Sequence, residues 1–301
     1  MAHPSQTSTA PVVVGTDGSA GAEHAVAWAA DEAMLRGRPL RIVHAVQPWG
    51  MGTAVVVGSA DLMVSLEGSG RLVLEEAERL ARRRHPELEV GTELVMGSPE
   101  QALQGQADTA FEIVVGSHGT GGFAGLLLGS TGLHVAGHTP GPVVIVRGEA
   151  GGPAHGEVVA GIDPSVESRG VLEYAFEAAS LRKARLRAVH GWRLPARIAD
   201  GVDAEQTARS LRRSIEEAIA PLRDRYPELE TVVDVVRDHP VHALTVASQR
   251  ADLVAVGAHD RRGLRALRLG SVSHGIVHHA RCPVAIVRPG VVSHTSGDPA
   301  S

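Results

Sequence analysis

The chain repeats itself, and this repeat limits its fold more than any other feature. Val12-Val13-Val14-Gly15-Thr16-Asp17-Gly18-Ser19 returns as Val158-Val159-Ala160-Gly161-Ile162-Asp163-Pro164-Ser165, an offset of 163 − 17 = 146. Leu40-Arg41-Ile42-Val43-His44 returns as Leu186-Arg187-Ala188-Val189-His190 at the same offset. Further on, Pro86-Glu87-Leu88-Glu89 returns at Pro227, Gly116 at Gly257 and Gly129 at Gly270, each at 141. The five-residue change, 146 − 141, falls between the second strand and the helix after it. It predicts a longer loop in the first copy, around Gly50, Met51 and Gly52. A kept order with one local shift is what tandem duplication leaves; two copies make a pseudo-dimer in one chain, whereas a solenoid needs three or more. The copies are expected at 9–148 and 156–290, joined by the Gly- and Pro-rich stretch 148–156.

Within each copy, short apolar runs alternate with longer segments of helical character. In the first copy the runs fall at 11–16, 40–46, 88–95, 111–116 and 143–147, with helices expected to about Gly37, over 61–85, and from Pro99 and Gly129. Asp17-Gly18-Ser19 reads as a turn and helix cap, and Pro99 suits the first turn of a helix. Continuous apolar strands alternating with helices imply a parallel sheet covered on both faces. Such a sheet binds ligands at the carboxyl ends of its strands, near the point where strand order reverses.

Composition narrows the partners. At 43% hydrophobic and 21% charged the chain suits a globular protein, and each half is long enough to bury its own core. Only 3% is aromatic, so that core must be mostly Val, Leu, Ile and Ala. A net charge of −5 argues against a nucleic-acid partner. No apolar run reaches the roughly 18 residues of a membrane span, and the N-terminus lacks a signal-peptide pattern. The single cysteine, Cys282, permits no intrachain disulfide, so a cytoplasmic protein is expected.

Chemistry concentrates in 114–147, where an apolar strand enters a glycine-rich loop and then a helix start. Gly116 and Gly119 allow a tight turn and close backbone approach to a ligand. Nine residues later Gly129 and Ser130 open a helix, whose free N–H groups and the Ser130 hydroxyl can hold phosphate oxygens. Asp17 would share that edge of the sheet, able to accept bonds from ribose or to help hold a metal beside phosphates. The bland alternative is a loop whose glycines only solve backbone geometry, with Asp17 capping a helix.

The combination Gly116-2x-Gly119-9x-Gly129-Ser130, with Asp17 after the first strand, resembles the ATP-binding signature of the universal stress protein family. The resemblance covers both copies, through His44 and the strand ending at Arg147, and again through Asp163, His190 and the strand ending at Arg288. It implies two tandem Rossmann-like domains of the adenine nucleotide alpha hydrolase type, each a five-stranded parallel sheet of order 3-2-1-4-5. It further implies a nucleotide, usually ATP with Mg alongside, and a regulatory role in stress or dormancy. Carried over by position, Gly15 and Asp17 lie beside the nucleotide, Ala45 meets adenine and Gly116 touches ribose. Gly119, Gly129, Ser130 and Thr131 surround the phosphates. A weaker second site would use Gly161, Asp163, Gly191, Gly257, Gly270, Ser271, Val272 and Ser273. There Asp260 replaces the second glycine and sets a negative charge near the phosphates, which Arg261, Arg262, Arg265 or Arg268 could offset. AMP and cyclic AMP stay open as ligands, since backbone carries much of the recognition. The family also implies that fifth strands pair domains, here within the chain. A homodimer and a regulatory protein partner are compatible with it.

Enzyme motifs are absent. No Walker loop, nucleophile elbow, kinase signature or His-Glu-x-x-His zinc motif occurs, and Lys183 is the only lysine. No base is evident for phosphoryl transfer, so a non-catalytic nucleotide-binding regulator is the first reading. A slow ATPase of the same fold class is the second, and a nucleotide-independent structural protein the third. His134/His138 and His274/His278 pair at i,i+4, but no further ligand completes a zinc set, so no protein metal site is expected. His44 and His190 are expected to serve packing or backbone bonding, and Cys282 to be buried and inert.

Overall fold

The computed structural model describes residues 10–47, 60–119, 129–147, 154–163, 168–193, 203–258 and 269–288. The loop around Gly50, Met51 and Gly52 lies outside these residues, as do Asp260 and the four arginines after it. The chain divides into two compact units, Met1–Pro153 and Ala154–Ser301.

The first unit runs β1 (Val12–Gly15), α1 (Ala20–Arg36), β2 (Leu40–Val46), α2 (Ala60–Arg84), β3 (Val90–Met96), α3 (Pro99–Gln104), β4 (Glu112–Gly116), α4 (Ser130–His138) and β5 (Val143–Val146). Its strands are parallel, in the order β3-β2-β1-β4-β5. The second unit runs β6 (Glu157–Gly161), α5 (Arg169–Arg182), β7 (Arg185–Gly191), α6 (Ala204–Arg225), β8 (Thr231–Val236), α7 (Pro240–Ala247), β9 (Leu253–Gly257), α8 (Ser271–His279) and β10 (Val284–Val287). Its parallel order is β8-β7-β6-β9-β10. Each unit thus has the 3-2-1-4-5 order that the resemblance implied. The order reverses beside the first strand, the place at the strands' carboxyl ends where sheets of this kind bind ligands.

β1 shows why these runs become central strands. Val12, Val13 and Val14 are all fully buried, which only a sheet covered on both faces allows. Two glycines identify the covers. A Cβ on Gly116 would meet the backbone of Gly21 in α1, whereas one on Gly132 of α4 would meet the Val115 side chain. Successive strand residues point to opposite faces, so α1 and α4 cover opposite sides of the sheet. The alanines of α1, including Ala25, Ala29, Ala30 and Ala33 with no exposure, let that helix lie close.

Local chemistry fixes the ends of α1. Ser19 is its N-cap and accepts from Ala22 N at 3.2 Å, a contact worth about 1 kcal/mol. Gly37 closes it in the left-handed region at φ 60°, and its counterpart after α5 is Lys183 at φ 51°. The five-residue offset change is not all loop. α2 has 25 residues and α6 has 22, and their last residues keep the 141 offset, 225 − 84. Three of the five residues therefore lengthen the start of a helix, because Ala60-Asp61-Leu62 can simply continue the helical pattern that follows.

Candidate functional site

The site residues of the first unit gather at the carboxyl edge of its sheet. Gly15 ends β1, Ala45 is the penultimate residue of β2, and Gly116 ends β4. Asp17 follows β1, while Ser130 and Thr131 open α4 behind its N-cap Gly129. Of these, Asp17 and Gly119 touch most closely: a Cβ on Gly119 would stand 2.5 Å from Asp17 Oδ2. Only glycine lets the loop pass over this carboxylate without displacing it.

Asp17 does not cap α1. Ser19 does that, and Asp17 Oδ1 accepts from Ser19 N at 3.0 Å, which steadies the turn. His44 holds the preceding residue. Its Nδ1 lies 2.7 Å from Thr16 O, and since a carbonyl only accepts, the proton sits on Nδ1. The second unit repeats the contact, with His190 Nδ1 2.9 Å from Ile162 O, one residue before Asp163. Both histidines are thus backbone-bonding, as expected, and each fixes the strand end that carries the aspartate.

The helix start behaves as an anion cradle should. Gly129 N donates to Ser117 O at 2.8 Å and closes the ends of the loop between them. Gly129 supplies no side-chain cap, so the first-turn N–H groups of α4 keep their donor capacity. The Ser130 side chain is exposed and makes no hydrogen bond with any described residue. Among the described residues, a Cβ at Gly129 would meet Ser117 O alone, at 3.7 Å. These features fit the phosphates of a nucleotide, and the carboxylate of Asp17 on the same edge fits a hydroxyl-bearing sugar.

Other predicted residues are occupied in ways that spacing alone does not reveal. Gly116 is pressed on the backbone of α1, with its Cβ position 2.7 Å from Gly21 O, and a Cβ on Gly15 would stand 3.0 Å from the Leu103 side chain. Thr131 Oγ1 donates to Glu100 at 2.8 Å, so its hydroxyl ties α4 to α3. Burial raises the Glu100 carboxyl, but bonds from its own N–H, Thr131 and Ser98, and the charge of His134, outweigh this and hold it below its ordinary value. Sequence reading missed the Gly21 contact, although a glycine in the first turns of an otherwise alanine-rich helix is a usable signal of close approach.

The second unit keeps the frame and differs in detail. Gly270 N donates to Ala258 O at 2.8 Å, closing the equivalent loop, and Gly270 is an N-cap without a side-chain bond. Asp163 is tied to Ser168, whose hydroxyl donates to Asp163 Oδ1 at 3.2 Å. Ser273 is buried and donates to Gly257 O at 2.6 Å. Cβ positions on Gly161 and Gly191 would meet Leu244 and Pro240, and one on Gly257 would meet, among the described residues, Val171 at 3.7 Å. Ser271 is exposed and Val272 half-buried.

Two other features carry no reactive chemistry. Cys282 is buried, and burial together with the charge of Asp252 pushes its thiol up to about 12, so it is not a ready nucleophile. His134 and His138 stack at 4.1 Å, and His138 Nδ1 lies 2.7 Å from His134 O. Among the described residues no three His, Cys, Asp or Glu side chains group to hold a metal, and no helix is long and apolar enough to cross a membrane.

The chain was compared with known proteins. The Universal stress protein family pattern matches residues 9–147 and 156–288. Universal stress protein Rv2005c of Mycobacterium tuberculosis is 34% identical over 289 residues, covering 92% of this chain and 96% of that one. Universal stress protein Rv2623 of the same organism is 32% identical over 292 residues, covering 94% and 98%. Among solved structures, a universal stress protein from Archaeoglobus fulgidus has a TM-score of 0.71 over 94% of this chain and all of its own, a likeness of fold at 18% identity.

Proposed function

The chain belongs to the universal stress protein family, and from that premise we propose that its first unit is an adenine-nucleotide site, with ATP as the ligand and occupancy as the signal. The observation that carries this reading is Gly119 passing over the Asp17 carboxylate beside the uncapped start of α4, so close that a Cβ there would stand 2.5 Å from Oδ2. Gly129 and Ser130 take the phosphates, the backbone at Ala45 meets the base, and Asp17 takes the sugar or a Mg ion carried in by the phosphates. The role is regulatory: ATP binding alters what the protein contacts, and any hydrolysis is slow. The second unit binds more weakly, because Asp260 places a charge where the first unit has Gly119.

The test is direct. Ligand released from freshly purified protein and identified by mass spectrometry should be unhydrolysed ATP, and calorimetry should find it rebinding with Mg. Gly119→Ala should weaken binding at least tenfold while leaving the thermal midpoint of the empty protein nearly unchanged, since only the far end of Asp17 must move. Absence of any bound nucleotide, together with no calorimetric binding of ATP, AMP or cyclic AMP, would overturn the reading. Repeated turnover over hours that Gly119→Ala abolishes would instead favour the slow ATPase.

A further inference from the structure

The first unit has a second concavity. A cavity of about 310 Å³ lies between α1 and α2, at the small end of the range of about 300–1,000 Å³ typical of ligand sites. None of the eight first-unit nucleotide residues lines it, although it reaches Thr16 and Gly18 on either side of Asp17. Val26, Leu72, Val73, Ala77 and Leu80 make its walls. Leu72 is 64% exposed, an apolar side chain left in water beside a hollow.

The duplication offers an internal comparison, since both units build the same helix pair. Positions that the fold requires stay alike: Leu74 and its counterpart Ile215 are both buried, and Ala77 corresponds to Ala218. Three of the apolar positions facing the cavity change in kind, while Val26 and Ala77 keep apolar counterparts in Leu172 and Ala218. Leu72, Val73 and Leu80 correspond to Arg213, Ser214 and Pro221. The helix pair therefore forms without the residues Leu72, Val73 and Leu80, so the apolar wall these three make is not required by its architecture.

The rim supplies the polarity of a ligand. Glu76 is already paired, with Arg79 and with Arg83 at 3.4 Å. Glu23, exposed in the first turn of α1, lines the cavity and makes no ion pair with any described residue. Its counterpart is Arg169, which pairs with Glu173 at 2.9 Å. Arg83 also lines the cavity, held by Glu76, so among the described residues the groove presents an apolar wall and one carboxylate, Glu23, without an ion pair. We propose that it binds a small cationic amphiphile, an aliphatic or aromatic amine whose apolar body lies on Leu72, Val73 and Leu80 and whose ammonium meets Glu23.

Hexylammonium is the probe, titrated into the full chain by calorimetry and by NMR shifts, with hexanoate as the control of opposite charge. Saturable one-to-one binding is expected, with hexanoate at least fivefold weaker. Leu72→Arg, which installs the second unit's residue at an exposed position, should weaken binding at least tenfold, and Glu23→Gln at least threefold. The proposal is overturned by non-saturable uptake, by equal binding of hexanoate, or by unchanged affinity in either variant. None of these readouts depends on nucleotide, so failure here leaves the nucleotide reading standing, and the reverse.

Discussion

Lys183 holds a backbone conformation that its own side chain opposes. At φ 51° it occupies the left-handed region that its counterpart Gly37 enters freely at φ 60°. For a residue with a Cβ that region costs roughly 1–2 kcal/mol, part of which glycine returns through the flexibility of the unfolded chain. The capping bonds explain why the strain is tolerated, since Lys183 N–H reaches Ala179 O and Ser180 O. Lys183→Gly should therefore stabilise the second unit by about 0.5–1 kcal/mol, and Gly37→Ala should destabilise the first by about 1 kcal/mol. Urea titration, read from the midpoint of the transition each variant alters, checks both. The same residue-level logic explains the site's glycines. Their spacing is legible in sequence, but whether a given glycine serves ligand or packing is not. Gly119 lies against a carboxylate and Gly116 against a helix backbone, and nothing local separates the two.

Among elements, α3 and α4 are joined differently in the two units. Thr131 and Glu100 bridge them in the first, while the equivalent pair in the second is Val272 and Val241, with Val241 pressed 2.7 Å from a Cβ position on Gly275. The Glu100 carboxyl titrates below its ordinary value of 4.5 when folded. Its contribution is therefore present above that value and lost as pH falls through the lowered folded one. The thermal midpoint of the wild-type protein should fall on acidification below about pH 4.5 more steeply than that of Thr131→Val, and the two curves should converge at the acid end. An equally steep decline in Thr131→Val would show that the bridge contributes nothing. The helices and strands themselves were legible because their signals are local: apolar runs, Ser19 and Ser98 as caps, Pro99 at a first turn. The start of α2 was legible to within a residue, expected at 61 and found at Ala60, but the division of the five extra residues between loop and helix was not, since continuing a helix or beginning a loop differs by small propensities that packing overrides.

For the whole molecule, duplication provides two frames with one strand order and unequal edges. Both loops are closed by the same bond, Gly129 to Ser117 and Gly270 to Ala258. The difference lies in the residues that fill the frame, above all Asp260, which the described residues do not include. Calorimetry of the full chain should resolve one tighter and one weaker ATP site. Asp260→Gly should raise the weaker affinity roughly five- to tenfold, as one charge a few ångströms away is worth about 1 kcal/mol even at the dielectric of water. Equal affinities, or no response to the substitution, would remove the asymmetry from the functional reading.

The sequence by itself determined the duplication, the order of strands and helices, the loop-to-helix start at Gly129 and the family, because each is written in short-range period and spacing. Tertiary structure alone decided which partners those residues meet. Thr16 and His44 are 28 residues apart, and Glu100 and Thr131 are 31 apart. The groove between α1 and α2 joins residues more distant still. Strand register and the rotation of each helix about its axis set such meetings, and both are outcomes of packing the whole unit rather than properties of any one stretch.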